Sequence, residues 1–144
     1  MLDIDGYGWS CCRCSVSNEE IDLFARVSSD HNELHYGPGR IAHGALLLAK
    51  LSAAITGRFG HGTVMLGETT LKVGRPVKPD ECFYISIGPL VPVEKSKLKL
   101  QTADVLLYGW SGSQRKDIIS GSVSIKLPTV ERHALLANAE SIAA

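Results

Sequence analysis

The sequence lacks an excess of charge of either sign. Its 144 residues carry 15 acidic and 15 basic side chains, and the basic ones are scattered along the chain. A protein that follows a phosphate backbone needs lysines and arginines gathered into a stripe or patch. We therefore expect no nucleic-acid partner.

The sequence also lacks a hydrophobic run long enough to cross a membrane. The most apolar stretch, Ala45 to Ile55, is interrupted by Lys50 and Ser52 and is too short to span about 30 Å of hydrocarbon. It predicts a buried helix and no membrane partner. The first five residues carry two aspartates and no basic residue, whereas a targeting signal begins with basic residues, so a cytoplasmic location is expected.

Cysteine is scarce and does not occur in the pairs that bind zinc. Cys11, Cys12 and Cys14 crowd together, and Cys82 stands alone. Without a second pair at zinc-ribbon spacing, the pattern favours free thiols and predicts no metal site. The length suits one domain over residues 1–144, with a core at about 14–127 and a helical tail at about 129–143.

Two helices are predicted ahead of the strands. Residues 17–20, Ser-Asn-Glu-Glu, fit a capping box and predict a helix that ends near Ser29. The run from Ile41 to Thr56 is apolar nearly all round and is followed by Gly57. It predicts a central helix that other elements must wrap on every side.

The second half of the chain has the composition and alternation of β-strands. Strands are predicted at 63–73, at 83–87 with Phe83, Ile85 and Ile87 facing inward, at 98–108 and at 119–127, with a polar turn at 110–117. A central helix followed by meandering strands predicts an α+β fold, an antiparallel β-sheet wrapped around the helix. The open edge of such a sheet favours pairing in a homodimer.

One short motif carries the chemistry. Asp30 is followed by Asn32 and His35 on a loop that leaves the first helix, and Ile41-Ala42-His43-Gly44 then leads into the central helix. Together with residues 74–80, Gly-Arg-Pro-Val-Lys-Pro-Asp, this order resembles the MaoC-like (R)-specific enoyl-CoA hydratase and dehydratase family. The resemblance covers about residues 14–127. Ser29 and Glu33 stand where that family usually has glycine and proline.

The resemblance implies a hot-dog fold and a lyase that interconverts trans-2-enoyl and (R)-3-hydroxyacyl thioesters, linked to CoA or to a carrier protein. Asp30 would be the general base and His35 its partner on the reacting water. The Gly44 amide would stabilise the enolate oxygen. His43 would orient this segment, and Asn32 would support the loop.

No cofactor is implied, and an acyl chain would lie between helix and sheet against Leu46, Leu47 and Phe83. Two other functions stay open. One is a thioesterase or a related conjugate-addition enzyme on the same fold. The other is a non-catalytic acyl-binding protein.

Overall fold

The elements of the fold lie in residues 3–4, 6 and 8–128, the part of the chain that this computed structural model describes. The helices are α1 (Asn18–Ser28) and α2 (Gly44–Phe59), and a 3₁₀ turn (Glu33–His35) lies between them. The strands are β1 (Asp3–Ile4), β2 (Ser10–Cys14), β3 (Val64–Val73), β4 (Phe83–Ile87), β5 (Val91–Pro92), β6 (Gln101–Ser111) and β7 (Gln114–Lys126). The predicted tail at 129–143 lies outside the described residues.

The strands form one antiparallel sheet with α2 on one side. Their order is β1-β2-β4-β6-β7-β3, and β5 pairs with β6 at its start. The long strand β3 is therefore the last strand of the described sheet and forms one of its edges. The predicted α+β arrangement of an antiparallel sheet around a central helix is confirmed. Among the described residues, no helix is long and apolar enough to cross a bilayer.

Helix α1 begins as its sequence predicts. The Ser17 hydroxyl accepts a hydrogen bond from the Glu20 amide at 3.1 Å, and the Glu20 carboxylate accepts one from the Ser17 amide at 2.9 Å. This reciprocal pair satisfies two amides that lack partners inside the helix. Ile21 and Ala25 face the core, which leaves the other side of α1 for the surface.

Helix α2 lies three residues later than predicted. Residues 41–43 are not helical, because His43 has an extended backbone with φ −60° and ψ 135°. At the other end the helix continues through Gly57 and stops at Phe59, before Gly60 with φ 100°. The predicted range of 41–56 was therefore wrong at both ends.

Only one side of α2 is wrapped. Its buried residues, Leu46, Leu47, Leu51, Ala54 and Ile55, face the sheet. The opposite side is exposed and consists of small and aliphatic residues, namely Ala45, Leu48, Ala49, Ser52 and Ala53. The expectation that the helix is covered on every side is thus wrong for a single chain.

The strands predicted at 63–73, 83–87 and 119–127 are confirmed, whereas the one predicted at 98–108 starts three residues late, at Gln101, and the short strand β5 was not predicted. In β4, Phe83, Ile85 and Ile87 are buried and alternate with half-buried neighbours. The predicted polar turn at 110–117 is wrong, because Trp110 pairs with Arg115 and the chain reverses at Gly112. Strand β2, with three of the four free cysteines, was not predicted, because its mixed residues show no clear alternation.

Candidate active site

The loop that follows α1 is held by hydrogen bonds from its own side chains. The Asp30 carboxylate accepts from the Asn32 amide at 3.2 Å, and the Asn32 side-chain oxygen accepts from the Leu34 amide at 3.0 Å. Asn32 thereby caps the 3₁₀ turn that carries His35. The side chain of Asn32 is engaged with backbone, in the supporting position that the sequence suggested.

Ser29 provides the sharp exit from α1. Its φ of 60° lies in the left-handed region, which residues other than glycine seldom adopt. The neighbouring Ser28 hydroxyl donates to the Phe24 carbonyl at 2.6 Å and accepts from the Asp30 amide at 3.1 Å. These bonds tie the turn to the last helical residues, so a serine holds the conformation that glycine would adopt freely.

His35 is buried and has one ring nitrogen directed at Asp30. Its Nδ1–H donates to the Ile41 carbonyl at 2.9 Å, which leaves Nε2 as the nitrogen with the lone pair in the neutral ring. Nε2 lies 3.9 Å from Asp30 Oδ2, too far for a direct hydrogen bond. Both groups can instead hydrogen-bond the same water molecule.

His43 contacts both of these residues. Its Nε2–H donates to the Asp30 carbonyl at 3.1 Å, and its ring stacks on His35 with 3.6 Å between centroids. On its other side the ring meets Phe24 at 5.0 Å. Only 1% of His43 is exposed, so it makes these contacts from inside the protein.

Gly44 is the first residue of α2, where amides have no partner within the helix. His43 precedes it as N-cap without a side-chain cap hydrogen bond. Gly44 is exposed, and a Cβ at this position would meet nothing within 4 Å, so the protein leaves room beside this residue. The positive end of the helix dipole makes the position favourable for a developing negative charge.

Asp30, His35 and His43 have the side-chain types of a metal site but not its geometry. One ligand atom from each lies within 4.8 Å of the others, and two histidines with a carboxylate can bind iron or zinc. However, the two rings are stacked with 24° between their planes. Their in-plane lone pairs therefore run side by side and do not converge on one ion at about 2.1 Å.

The apolar space beside the site differs from the expected one. Leu47 and Phe83 are fully buried in the packed core, which corrects their assignment to an acyl pocket. A groove of about 300 Å³ instead lies between α1 and α2. It is lined by Glu20, Leu23, Phe24, Val27, Leu46, Ala49 and Lys50.

Phe24 connects this groove to the site, because it forms a wall of the groove and also packs against His43. At the rim, Lys50 donates to Glu20 at 2.5 Å. That hydrogen bond and the one from the Ser17 amide lower the pKa of Glu20. Helical spacing with Ile21 and Ser28 predicts Phe24 on the inner face of α1, but that spacing gives no sign that Phe24 borders the site.

Known structures resemble the chain throughout this fold. The R-hydratase PhaJ1 from Pseudomonas aeruginosa is 28% identical, with a TM-score of 0.69 over 87% of this chain and 83% of that one. An (R)-hydratase from A. caviae involved in PHA biosynthesis is 22% identical, with a TM-score of 0.71 over 88% and 98%. Thioesterase superfamily member 2 from Mus musculus is 17% identical, with a TM-score of 0.56 over 89% and 81%.

These similarities establish the hot-dog fold. No family model matches the sequence. No curated protein matches it at a significant level either. The similar structures include both hydratases and thioesterases, so the chain has the fold of a group of proteins that consists mostly of enzymes.

Proposed function

We propose that this protein is a hydratase of the MaoC-like type, which interconverts a trans-2-enoyl thioester and its (R)-3-hydroxyacyl form. The observation that supports this most is the 3.9 Å between Asp30 Oδ2 and His35 Nε2, beside the open N-terminus of α2. A carboxylate and an imidazole at this separation can hold one water between them.

In the hydration direction, Asp30 takes a proton from the water while the oxygen adds to C3 of the enoyl group. The electron pair of the double bond moves through C2 to the thioester oxygen, which becomes an enolate. The Gly44 amide stabilises that oxygen. The proton is then delivered to C2 by the Asp30 and His35 pair, which completes the addition without a cofactor.

His43 and Asn32 support the reaction without touching the substrate. The stack on His35 and the hydrogen bond to the Asp30 carbonyl hold both reacting groups in place. Rigid placement of this kind contributes to catalysis because the reacting atoms need no further ordering. The substrate is an acyl thioester of CoA or of a carrier protein, and the groove beside Phe24 offers apolar surface for its acyl chain.

We further propose that the protein acts as a homodimer. Strand β3 is a sheet edge in the described part of the chain, and Leu66 and Val73 on it are 41% and 62% exposed. The small-residue side of α2 is exposed as well. A two-fold axis would cover such surfaces with the same surfaces of a second copy. Sedimentation equilibrium tests this, and a monomer at micromolar concentration would contradict it.

A thioesterase is the second candidate, because structures of thioesterases share the fold. Two assays separate the functions. A hydratase removes the absorbance of the conjugated double bond from a short enoyl-CoA and releases no thiol, whereas a thioesterase releases free CoA from a saturated acyl-CoA.

The variant Asp30→Asn should slow hydration at least about 100-fold, because it removes the base. Asp117→Asn is the matched control, since Asp117 is an exposed carboxylate paired with Arg115 on the sheet. Hydration by Asp30→Asn at the wild-type rate would refute the assigned base. Absence of turnover over a panel of acyl lengths would favour a binding protein.

A further inference from the structure

The hairpin that joins β5 to β6 has a well-defined tip at residues 94–99. Val93 donates to the Leu100 carbonyl at 3.0 Å, and the Leu100 amide donates to the Ser96 hydroxyl at 3.2 Å. Lys95 and Lys99 have φ of 59° and 55°, the left-handed region that turns usually fill with glycine or asparagine. The tip thus places lysines at backbone positions for which lysine is not the favoured residue.

The tip is basic. Lys95, Lys97 and Lys99 are exposed, and none of them forms an ion pair with another described residue. Glu94 is the only acidic residue among the six. These three cations lie within five residues and remain uncompensated on the hairpin, although the chain as a whole has no net charge.

Aliphatic side chains accompany the lysines. Leu98 is 50% exposed at the tip, Val91 on β5 is 55% exposed, and Val93, just after β5, is 36% exposed. Exposed apolar residues scattered singly are ordinary, whereas a cluster beside uncompensated cations indicates a binding surface. The described hairpin contains no aromatic residue and no arginine.

The hairpin lies at the end of the sheet away from the candidate active site. Ala42, beside the start of α2, is bonded to Val77, and Gly74 is bonded to Ile118 near the far end of β6. Ile118 lies opposite the Leu107–Tyr108 step of β6, about six residues from Gln101, where β5 pairs, so roughly 20 Å of strand separates these two levels of the sheet at about 3.3 Å per residue.

We propose that this hairpin tip docks the protein on an anionic phospholipid surface, with Leu98 entering the headgroup region and the three lysines meeting lipid phosphates. Lysine near an anionic bilayer contributes attraction without a fixed geometry, and aliphatic side chains add burial. Protein interfaces instead concentrate tyrosine, tryptophan and arginine and are depleted in lysine. This proposal departs from the expectation of no membrane partner, which rested on the lack of a hydrophobic run long enough to span a bilayer, because a peripheral contact needs no such run.

The test is co-sedimentation of the full chain with vesicles. Vesicles of phosphatidylcholine with about one third phosphatidylglycerol should bind the protein at low salt and release it at high salt, because exposed charges are screened. Pure phosphatidylcholine should not bind it. Absence of binding to the anionic vesicles, or equal binding to the neutral ones, would overturn the proposal.

Two triple variants with equal loss of charge locate the contact. Replacing Lys95, Lys97 and Lys99 by Gln should weaken partition to anionic vesicles about 100-fold. The control replaces by Gln three exposed lysines of the opposite end, Lys72, Lys78 and Lys116, and should change partition less than about threefold, because those lysines lie far from the lipid. Equal losses in both variants would show that only total charge matters and would overturn the proposal.

The variant Leu98→Ser tests insertion of Leu98 into the lipid separately from charge attraction, because it leaves the three lysines in place. It should weaken partition to anionic vesicles about tenfold, while the melting temperature stays that of the wild type. Unchanged partition of Leu98→Ser to anionic vesicles would contradict the proposal that Leu98 enters the headgroup region. Binding to soluble polyglutamate without binding to vesicles would replace the lipid by an acidic protein partner and would also overturn the proposal. Enoyl-CoA turnover of the lysine variants is unaffected in either case, so the lipid proposal and the hydratase proposal fail separately.

Discussion

His43 stacks on His35 with 3.6 Å between ring centroids and 24° between ring planes. The same residue donates from Nε2 to the Asp30 carbonyl and precedes Gly44 as the N-cap of α2. A single buried side chain therefore contacts both members of the proposed acid–base pair and lies directly before the first residue of α2. Its position explains how a loop holds Asp30 and His35 in a fixed relation.

Replacing His43 by Phe tests this role. Phenylalanine keeps a ring against His35 but cannot donate to the Asp30 carbonyl, so the loop should loosen and hydration should suffer. We expect kcat to fall about 10- to 100-fold with little change in KM, measured as loss of enoyl-CoA absorbance. His61→Phe, at an exposed turn beyond α2, is the control. A KM effect without a kcat effect would place His43 in substrate binding.

The Gly44 amide can be removed without disturbing α2. Proline is well tolerated at the first position of a helix, where the amide has no partner, and the extended backbone of His43 suits a following proline. Gly44→Pro should therefore lower kcat about 100-fold or more with unchanged helical circular dichroism. Gly44→Ala keeps the amide, and since its Cβ meets nothing within 4 Å, it should retain activity. Equal activity of both variants would exclude Gly44 as donor.

Glu20 should make stability depend on pH in the acidic range. Hydrogen bonds from Lys50 and from the Ser17 amide lower its pKa in the folded state below the ordinary value of 4.5. Its stabilising contribution is therefore complete above that value and is lost as the pH falls through the folded pKa.

The free energy of unfolding, measured by urea titration, should differ between the wild type and Glu20→Gln. This difference should be constant near neutral pH and shrink toward zero in acid. Glu19→Gln lies in the same turn without an ion pair to any described residue, and it should show no such trend. A difference that persists at the lowest pH would mean that the carboxylate charge is not the cause.

Gly121 lies where β3 passes close to β7. A Cβ at this position would lie 2.0 Å from the Thr70 carbonyl oxygen, so any side chain must push the two strands apart. Gly121→Ala should lower the free energy of unfolding by about 3 kcal/mol, measured by denaturant titration. Ser122→Ala, on the next residue of the strand, is the control and should cost less than about 1 kcal/mol. Similar losses of unfolding free energy in the two variants would show that the strands adjust to the added methyl group at little cost.

Local signals predicted the elements whose cause is local. The capping box at Ser17 and Glu20 needs only four consecutive residues, and it set the start of α1. The alternation of Phe83, Ile85 and Ile87 needs only the period of a strand, and it set the buried face of β4. The order of residues from Asp30 to Gly44 was enough to select the hot-dog fold, which the known structures confirm. The roles of those residues remain predictions.

Other features depend on partners that are distant in the chain. His43 is extended because it bonds to Asp30 and stacks on His35, so α2 begins after it and not at Ile41. Strand β2 exists because β4 offers it an edge, although its own residues lack alternation. The groove beside Phe24 exists because α1 lies against α2 and the core closes over Leu47 and Phe83.

The sequence by itself thus determined the class of fold, the first helix, the faces of the best strands and the set of residues that meet at the proposed site. Tertiary structure alone decided where α2 starts, which of its sides stays open and how far Asp30 lies from His35. The physical reason is the separation in sequence over which each interaction acts. Capping and alternation act between residues a few positions apart, whereas a ring stack, a strand edge or a groove forms only after distant segments have packed together.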